Sequence, residues 1–402
     1  MNSAPSQSAA RINPLRVLAA VSLLAIAVGI LALSMKSQDA SNRDYITYWA
    51  AGHQLIHRAN PYDGQAILRL EKNAGLQDTR PFFMRNPPYA FFLALPLGLI
   101  GATVGAVCWS VALVAALAAS IRMLWILHGR PLDRTHLIAY FFPPVLACLF
   151  QGQIGIFILL GVTLFLYLHR SKPYLAGTAL LLCALKPHLF LPVGAVLLAW
   201  IVATRAYRIL LGASAALLAS LALAFYLDPA AWSHYAHMAR AANLQDEFIP
   251  TMSLVFRLLV HRGAVWLQFV PACVAVVWAL RYFWRHRAHW RWMDHGLLLL
   301  LVSVLVAPYA WFTDEVIVLP AILAALYRLS DAGRSLVPFA CLASAALIEL
   351  FALVHPSSGF YLWTAPAWLA WYLYAVRSVG PAQVEDECLD ESRCRLDLNQ
   401  AN

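Results

Sequence analysis

The chain has 402 residues, of which 61% are hydrophobic and only 12% charged, with a mean hydropathy of +0.66. A soluble domain of this length has no interior large enough for so much apolar surface, so the composition excludes a soluble protein and indicates an all-α, polytopic membrane protein. A formal charge of +9 would suggest nucleic acid in a soluble chain. Here it reports sidedness instead, because Lys and Arg are retained on the cytoplasmic side, and no nucleic-acid partner is expected.

Residues 1–14 read as a cytoplasmic tail. The apolar run 15–35, preceded by Arg11 and Arg16, is long enough to span a bilayer at about 1.5 Å per residue and reads as an anchor. A cleaved signal is the rival reading, since Ala32 and Ser34 are small enough for a peptidase site, but the run exceeds a usual signal core. Further apolar segments fall at 102–127, 136–150, 154–168, 174–185, 189–203, 209–227, 264–282, 295–311, 316–328, 335–354 and 362–377. About 10–12 spans follow, the shorter ones being candidates for re-entrant pairs, which are tolerated where they are buried in protein or line a wet cavity.

With the N-terminus inside, short cytoplasmic turns such as "HGRPLDR" and "RYFWRHRAHWR" collect most of the Arg residues, and the remaining cations, Lys186 apart, lie in two long segments, 36–87 and 228–263. Those two segments are then extracytoplasmic loops of one membrane domain covering 15–378. The acidic end 379–402, containing "VEDECLDESR", lacks the apolar residues to fold alone and reads as a disordered cytoplasmic tail. Cys108, Cys148, Cys183, Cys273 and Cys341 sit in apolar runs as small hydrophobes, while Cys388 and Cys394 have no His nearby and suggest neither zinc nor a disulfide.

The polar residues that stand out all fall on the extracytoplasmic side in this topology. In "RDYITYWAAGHQLIHRANPYD" (43–63), Asp44 follows the first span and is placed to serve as a base for a hydroxyl, or else is a solvated Asp beside an interfacial belt of Tyr45, Tyr48 and Trp49. In "LKPH" (185–188), Lys186 stands between two apolar runs beside Pro187 and His188, where it can meet a lipid phosphate or snorkel to the surface. "FQGQIG" (150–155) offers the amides of Gln151 and Gln153 to sugar hydroxyls or phosphate, or simply caps a helix. "WFTDE" (311–315) carries Asp314 and Glu315, a second carboxylate site. There is no Gly-rich phosphate loop following a strand.

Taken together, "DYITYWAAGHQLIHRANPYD", "RNPPYAFFLALPL", "QGQIGIFILLG", "AGTALLLCALKPHLFLPV" and "LVAPYAWFTDEVIVLPA" resemble, in order and spacing over roughly 15–330, glycosyltransferase family 87, the polyprenol-phosphate-mannose-dependent mannosyltransferase-like proteins of the GT-C class. The resemblance implies a GT-C-like fold in the plasma (inner) membrane with its active site facing away from the cytoplasm. It implies a polyprenyl-phosphate sugar donor, mannose-like, and a glycolipid or cell-envelope glycan acceptor, within a bed of membrane lipids. Asp44 matches the family's catalytic carboxylate. Lys186 and His188 would hold the donor phosphate, and Gln151 and Gln153 would line the same pocket. Many members carry a His in the late motif where this chain has Asp314 and Glu315.

The implied chemistry is an inverting transfer in which Asp44 takes the acceptor's proton and Lys186 stabilises the leaving phosphate. It requires no metal, and no Asp-X-Asp pair lies on the outer side, so no cofactor is expected. A transporter or flippase would also place polar residues at broken helices, but the halves 15–203 and 204–378 show no internal repeat. A noncatalytic scaffold would not need Lys186 beside Pro187.

Overall fold

A computed structural model describes residues 43–241, 248–331 and 358–378; the anchor at 15–35, the span at 335–354 and both tails lie outside the described residues. Every regular element among the described residues is helical. In chain order these are α1 (Arg43–Ile56), α2 (Gly64–Asn73), α3 (Phe91–Gly98), α4 (Ala102–Leu127) and α5 (Pro143–Gln151). Next come α6 (Gly155–Leu168), α7 (Pro173–Ala184), α8 (Leu191–Thr204), α9 (Tyr207–Leu227) and α10 (Ala231–Ala241). The last are α11 (Met252–Val260), α12 (Val270–His286), α13 (Leu297–Leu305), α14 (Leu319–Asp331) and α15 (Thr364–Ser378).

Four helical stretches, Ala102–Leu127, Pro187–Thr204, Tyr207–Leu227 and Val265–His289, are long and apolar enough to cross a membrane. In the last three only 22–28% of the most apolar window is buried by protein. Such greasy, uncovered surface is stable only against lipid, which makes the chain a polytopic membrane protein.

The chain divides into two compact units. Among the described residues, unit 1 comprises 43–118, 147–157 and 215–241. It is organised by α1, which buries Tyr45, Ile46, Tyr48, Trp49, Ala50, Ala51 and Leu55. α1 lies directly on α3 because Gly52 faces Gly98. A Cβ on Gly52 would sit 2.0 Å from the Ala94 carbonyl oxygen, and one on Gly98 would sit 2.2 Å from the Gly52 backbone. Helix α2 starts where "NPYD" ends, since Asp63 Oδ1 accepts from the backbone N–H groups of Gln65 (2.9 Å) and Ala66 (3.1 Å). This N-cap satisfies two donors that a helix start leaves open. Farther along α2, the buried carboxylate of Glu71 accepts from the Phe82 N–H through both oxygens.

Unit 2 comprises 119–146, 158–214, 248–331 and 358–378 of the described residues. Here α7 and α9 touch backbone to backbone: a Cβ on Gly177 would meet the Ile209 carbonyl at 2.0 Å, and one on Gly212 the Tyr174 carbonyl at 2.1 Å. Small residues at helix contacts permit this approach, which in lipid supplies the packing that a hydrophobic drive cannot. α8 and α12 pack along each other, and α13, α14 and α15 form the rest of the core.

The structure differs from the sequence reading in three places. Residues 88–98, to which the sequence reading assigned no segment, fold into a short 3₁₀ turn and α3. The apolar segment 136–150 is a 3₁₀ turn over Thr135–Phe141, an extended Phe142 and then α5, because Pro143 and Pro144 can start a helix but cannot continue one. The long segments 36–87 and 228–263 contain α1, α2, α10 and α11, whose polar composition hid their helical periodicity behind the loop reading.

Candidate functional site

Unit 1 holds Asp44, Gln151 and Gln153. Asp44 is in the first turn of α1 and half-buried, where a carboxylate is favoured by the positive end of the helix dipole. The next turn fixes its position. The hydroxyl of Tyr45 donates to the Ala102 carbonyl (2.8 Å), that of Tyr48 to Asn86 Oδ1 (2.8 Å), and Trp49 Nε1 donates to the Ile100 carbonyl (2.9 Å). The residues read as an interfacial belt are therefore buried anchors, each with its polar end satisfied.

Trp109, buried in α4, links α1 to the Gln-Gly-Gln turn. Its ring stacks on Tyr48 at 5.3 Å, and its indole N–H donates 2.8 Å to the Gly152 carbonyl. The turn itself closes α5. Gly152 takes φ +69°, and the Gln153 N–H donates to the Cys148 carbonyl (2.9 Å), the long-range bond of a left-handed helix cap. The capping alternative for "QGQ" thus describes its backbone, while the half-buried side chains of Gln151 and Gln153 flank a turn whose position Trp109 sets.

Unit 2 holds Lys186, His188, Asp314 and Glu315. α7 stops at Ala184, Lys186 precedes Pro187 in a bend, and a 3₁₀ turn over Pro187–Phe190 leads into α8. At this break Lys186 Nζ meets Asp314 Oδ1 at 2.6 Å, with the two side chains 15% and 2% exposed. The Lys186 ammonium does not snorkel to a surface; it is held by a buried carboxylate. Asp314 uses its other oxygen on the Trp311 backbone N–H (3.0 Å), so the pair ties the break to the start of the 3₁₀ turn Phe312–Val318.

Glu315, one residue on, points to a different neighbour. Its oxygens accept from the Thr364 hydroxyl (2.5 Å) and the Trp368 indole (3.0 Å), both on α15. Burial, opposed by these two donors, pushes its carboxyl up to about 8, so at neutral pH it is largely protonated and uncharged.

Above this pair lies a group of residues that sequence reasoning missed. Tyr309, in the turn after α13, meets the half-buried His188 ring edge-on at 6.0 Å, and Arg257 of α11, 4% exposed, is close enough for its charge to act on the Tyr309 phenol. Lys186 and Asp314 act in the same way on His188. The turn is braced from outside, as Ser253 Oγ donates to the Val306 carbonyl (2.8 Å) and Gln268 Nε2 to the Pro308 carbonyl. The missed signal was Arg257 in "LVFRLLV", a lone cation in an apolar run four residues after Ser253, which places both on one face of a helix.

The cluster brings two cations, Lys186 and Arg257, to the same region as the buried Asp314. Among the described residues no three His, Cys, Asp or Glu side chains gather as metal ligands would.

A family model described as Glycosyltransferase family 87 matches residues 83–308, more than half of the chain. The match contains the Gln-Gly-Gln turn, Lys186, His188 and Arg257. No match is found among curated proteins or among solved structures.

Proposed function

The chain belongs to glycosyltransferase family 87 and is a membrane glycosyltransferase; on that premise we propose that it transfers a sugar, mannose-like, from a polyprenyl-phosphate donor to a hydroxyl of an extracytoplasmic glycolipid or cell-envelope glycan. The observation that carries this reading is the buried Lys186–Asp314 pair at a broken helix, with His188, Tyr309 and Arg257 around it. A phosphodiester-linked sugar carries one negative charge, for which Lys186 and Arg257 supply cations. As the sugar–oxygen bond breaks, the departing lipid phosphate gains a second charge, so fixed cations stabilise the transition state more than the bound donor.

In this mechanism Asp314 positions Lys186, Glu315 fastens the turn to α15, and Gln151 and Gln153 offer amides to sugar hydroxyls. Asp44 removes the acceptor's proton as attack from the opposite face inverts the anomeric centre. The base role suits the place of Asp44 in the first turn of α1, where the helix dipole stabilises its charged, proton-accepting form.

The test is purified protein in detergent with radiolabelled polyprenyl-phosphate mannose and a screen of arabinosyl, galactosyl and glucosyl counterparts. Donor consumption without a sealed vesicle is expected. Consumption of a nucleotide sugar in place of every lipid-linked one would overturn the donor assignment. Sidedness is checked separately by reporters fused within 60–80 and at 286, expected to read outside and inside respectively; the reverse result would place the site on the wrong face for such a donor.

A further inference from the structure

At the end of the membrane helix α4, unit 2 contains a second polar cavity that the transfer reaction does not use. Its volume is about 190 Å³, and it is lined by His128, Arg291, Asp294, Tyr327 and Arg328 together with apolar side chains such as Leu127 and Met293. Asp294 binds both guanidinium groups, Oδ2 to Arg291 Nε (3.1 Å) and Oδ1 to Arg328 Nη2 (3.1 Å). Among the lining residues, two cations face one carboxylate. Each guanidinium has five N–H donors in a planar fork, so one carboxylate oxygen apiece uses a minority of them.

The walls are fixed rather than loose. The loop after α4 turns through Gly129 (φ +76°) and Arg130 (φ +56°), Trp125 Nε1 holds the Pro131 carbonyl (3.0 Å), and Ser330 Oγ bonds Asp133 Oδ2 (3.0 Å). The His128 ring lies 4.7 Å from that of Tyr327, and its buried Nε2 has no hydrogen-bond partner among the described residues. Burial, with Arg328 nearby, brings the imidazole down to about 4, so it is neutral at physiological pH and offers a hydrogen bond without adding charge. A cavity lined by two guanidinium forks with donors to spare calls for a ligand with several acceptor oxygens.

We propose that this cavity binds the phosphodiester headgroup of an anionic membrane lipid. The charge fits, and so does the place. The span Ala102–Leu127 ends at the cavity's rim, Trp125 and Trp290 each come shortly before one group of its lining residues in sequence, and headgroups sit at this depth of a bilayer beside Trp and Arg. Leu127 and Met293 then meet the glycerol and upper acyl carbons.

The experiment uses the full chain, delipidated in detergent and offered phosphatidylglycerol or phosphatidylcholine vesicles, with bound lipid counted by native mass spectrometry. Phosphatidylglycerol retention is expected, with little phosphatidylcholine. Arg291→Gln with Arg328→Gln should weaken retention about tenfold or more, the scale of lost charge-assisted hydrogen bonds. Asp294→Asn should strengthen it, a gain that misfolding cannot imitate. Inorganic phosphate is the second probe. Protection from thermal unfolding by phosphate, without phosphatidylglycerol retention, would assign the cavity to free phosphate and overturn the lipid. Equal retention of both lipids, or full retention by the double variant, would overturn the site.

Discussion

The carboxylates of unit 1 and unit 2 are placed by opposite physics. Asp44 stands half-buried at a helix start, where backbone N–H groups favour its charge, and the aromatic residues behind it are rigid. Asp314 and Glu315 are buried, and each has both oxygens committed, one residue to a cation and the other to neutral donors. A carboxylate that must gain and lose a proton in every cycle is better served by the first setting. One that must hold a cation or a helix in place is better served by the second. The difference accords with the proposal of a chemical role for Asp44 and positioning roles for Asp314 and Glu315.

The sharpest way to break this contrast is Asp44→Asn. It keeps size and most hydrogen bonding but cannot take a proton, so turnover is expected to fall about 10²- to 10⁴-fold while the unfolding midpoint barely moves. Asp44→Glu should be nearly as slow, since a shift of about an ångström can cost roughly a hundredfold. Wild-type turnover in folded Asp44→Asn would transfer the base role to unit 2.

Lys186→Met probes the other side. Removing one member of a buried pair leaves Asp314 uncompensated and should destabilise by about 3–5 kcal/mol, measured as loss of the folded fraction in denaturant, with donor use abolished. Adding Asp314→Leu should restore much of the stability and none of the donor use, which a purely structural pair would not show. Lys186→Arg should retain partial donor use, as charge is kept while the planar fork replaces a point charge.

Gly52→Leu comes next, because even a Cβ there collides with the Ala94 carbonyl. Separating α1 from α3 should cost about 1–3 kcal/mol and lower turnover by misplacing Asp44, with donor affinity retained if the donor belongs to Lys186.

The smallest effect concerns Glu315. Its folded carboxyl titrates near 8, above the ordinary value of 4.5, so between these pH values the folded state holds a proton that the unfolded state has released. Its contribution is fully present below about 4.5 and is lost as pH rises towards 8. Thermal unfolding of the wild type should therefore shift downward from pH 5 to pH 8, and Glu315→Gln should flatten that slope. An unchanged slope would place the charged form in the fold.

The amino-acid sequence by itself determined the class, because apolar content and the spacing of long runs depend only on composition and helix rise. It also identified Asp44, Lys186, Asp314 and Glu315 as unusual, since a charge beside an apolar run is visible without coordinates. The family match covers three of the motifs that suggested it, "RNPPYAFFLALPL", "QGQIGIFILLG" and "AGTALLLCALKPHLFLPV", while Asp44, Asp314 and Glu315 lie outside it. What only the tertiary structure decided was partnership. Lys186 and Asp314 are 128 positions apart, and nothing local in either segment specifies that they meet at 2.6 Å. Glu315 is neutral because α15 surrounds it, and Arg257 joins the cluster because α11 lies against the turn at Val306, contacts set by packing between distant helices. α1 reads as loop in the sequence for a related reason: its inward face is built of Tyr and Trp, whose polar ends look like surface chemistry until the carbonyls and amides that satisfy them are brought into place.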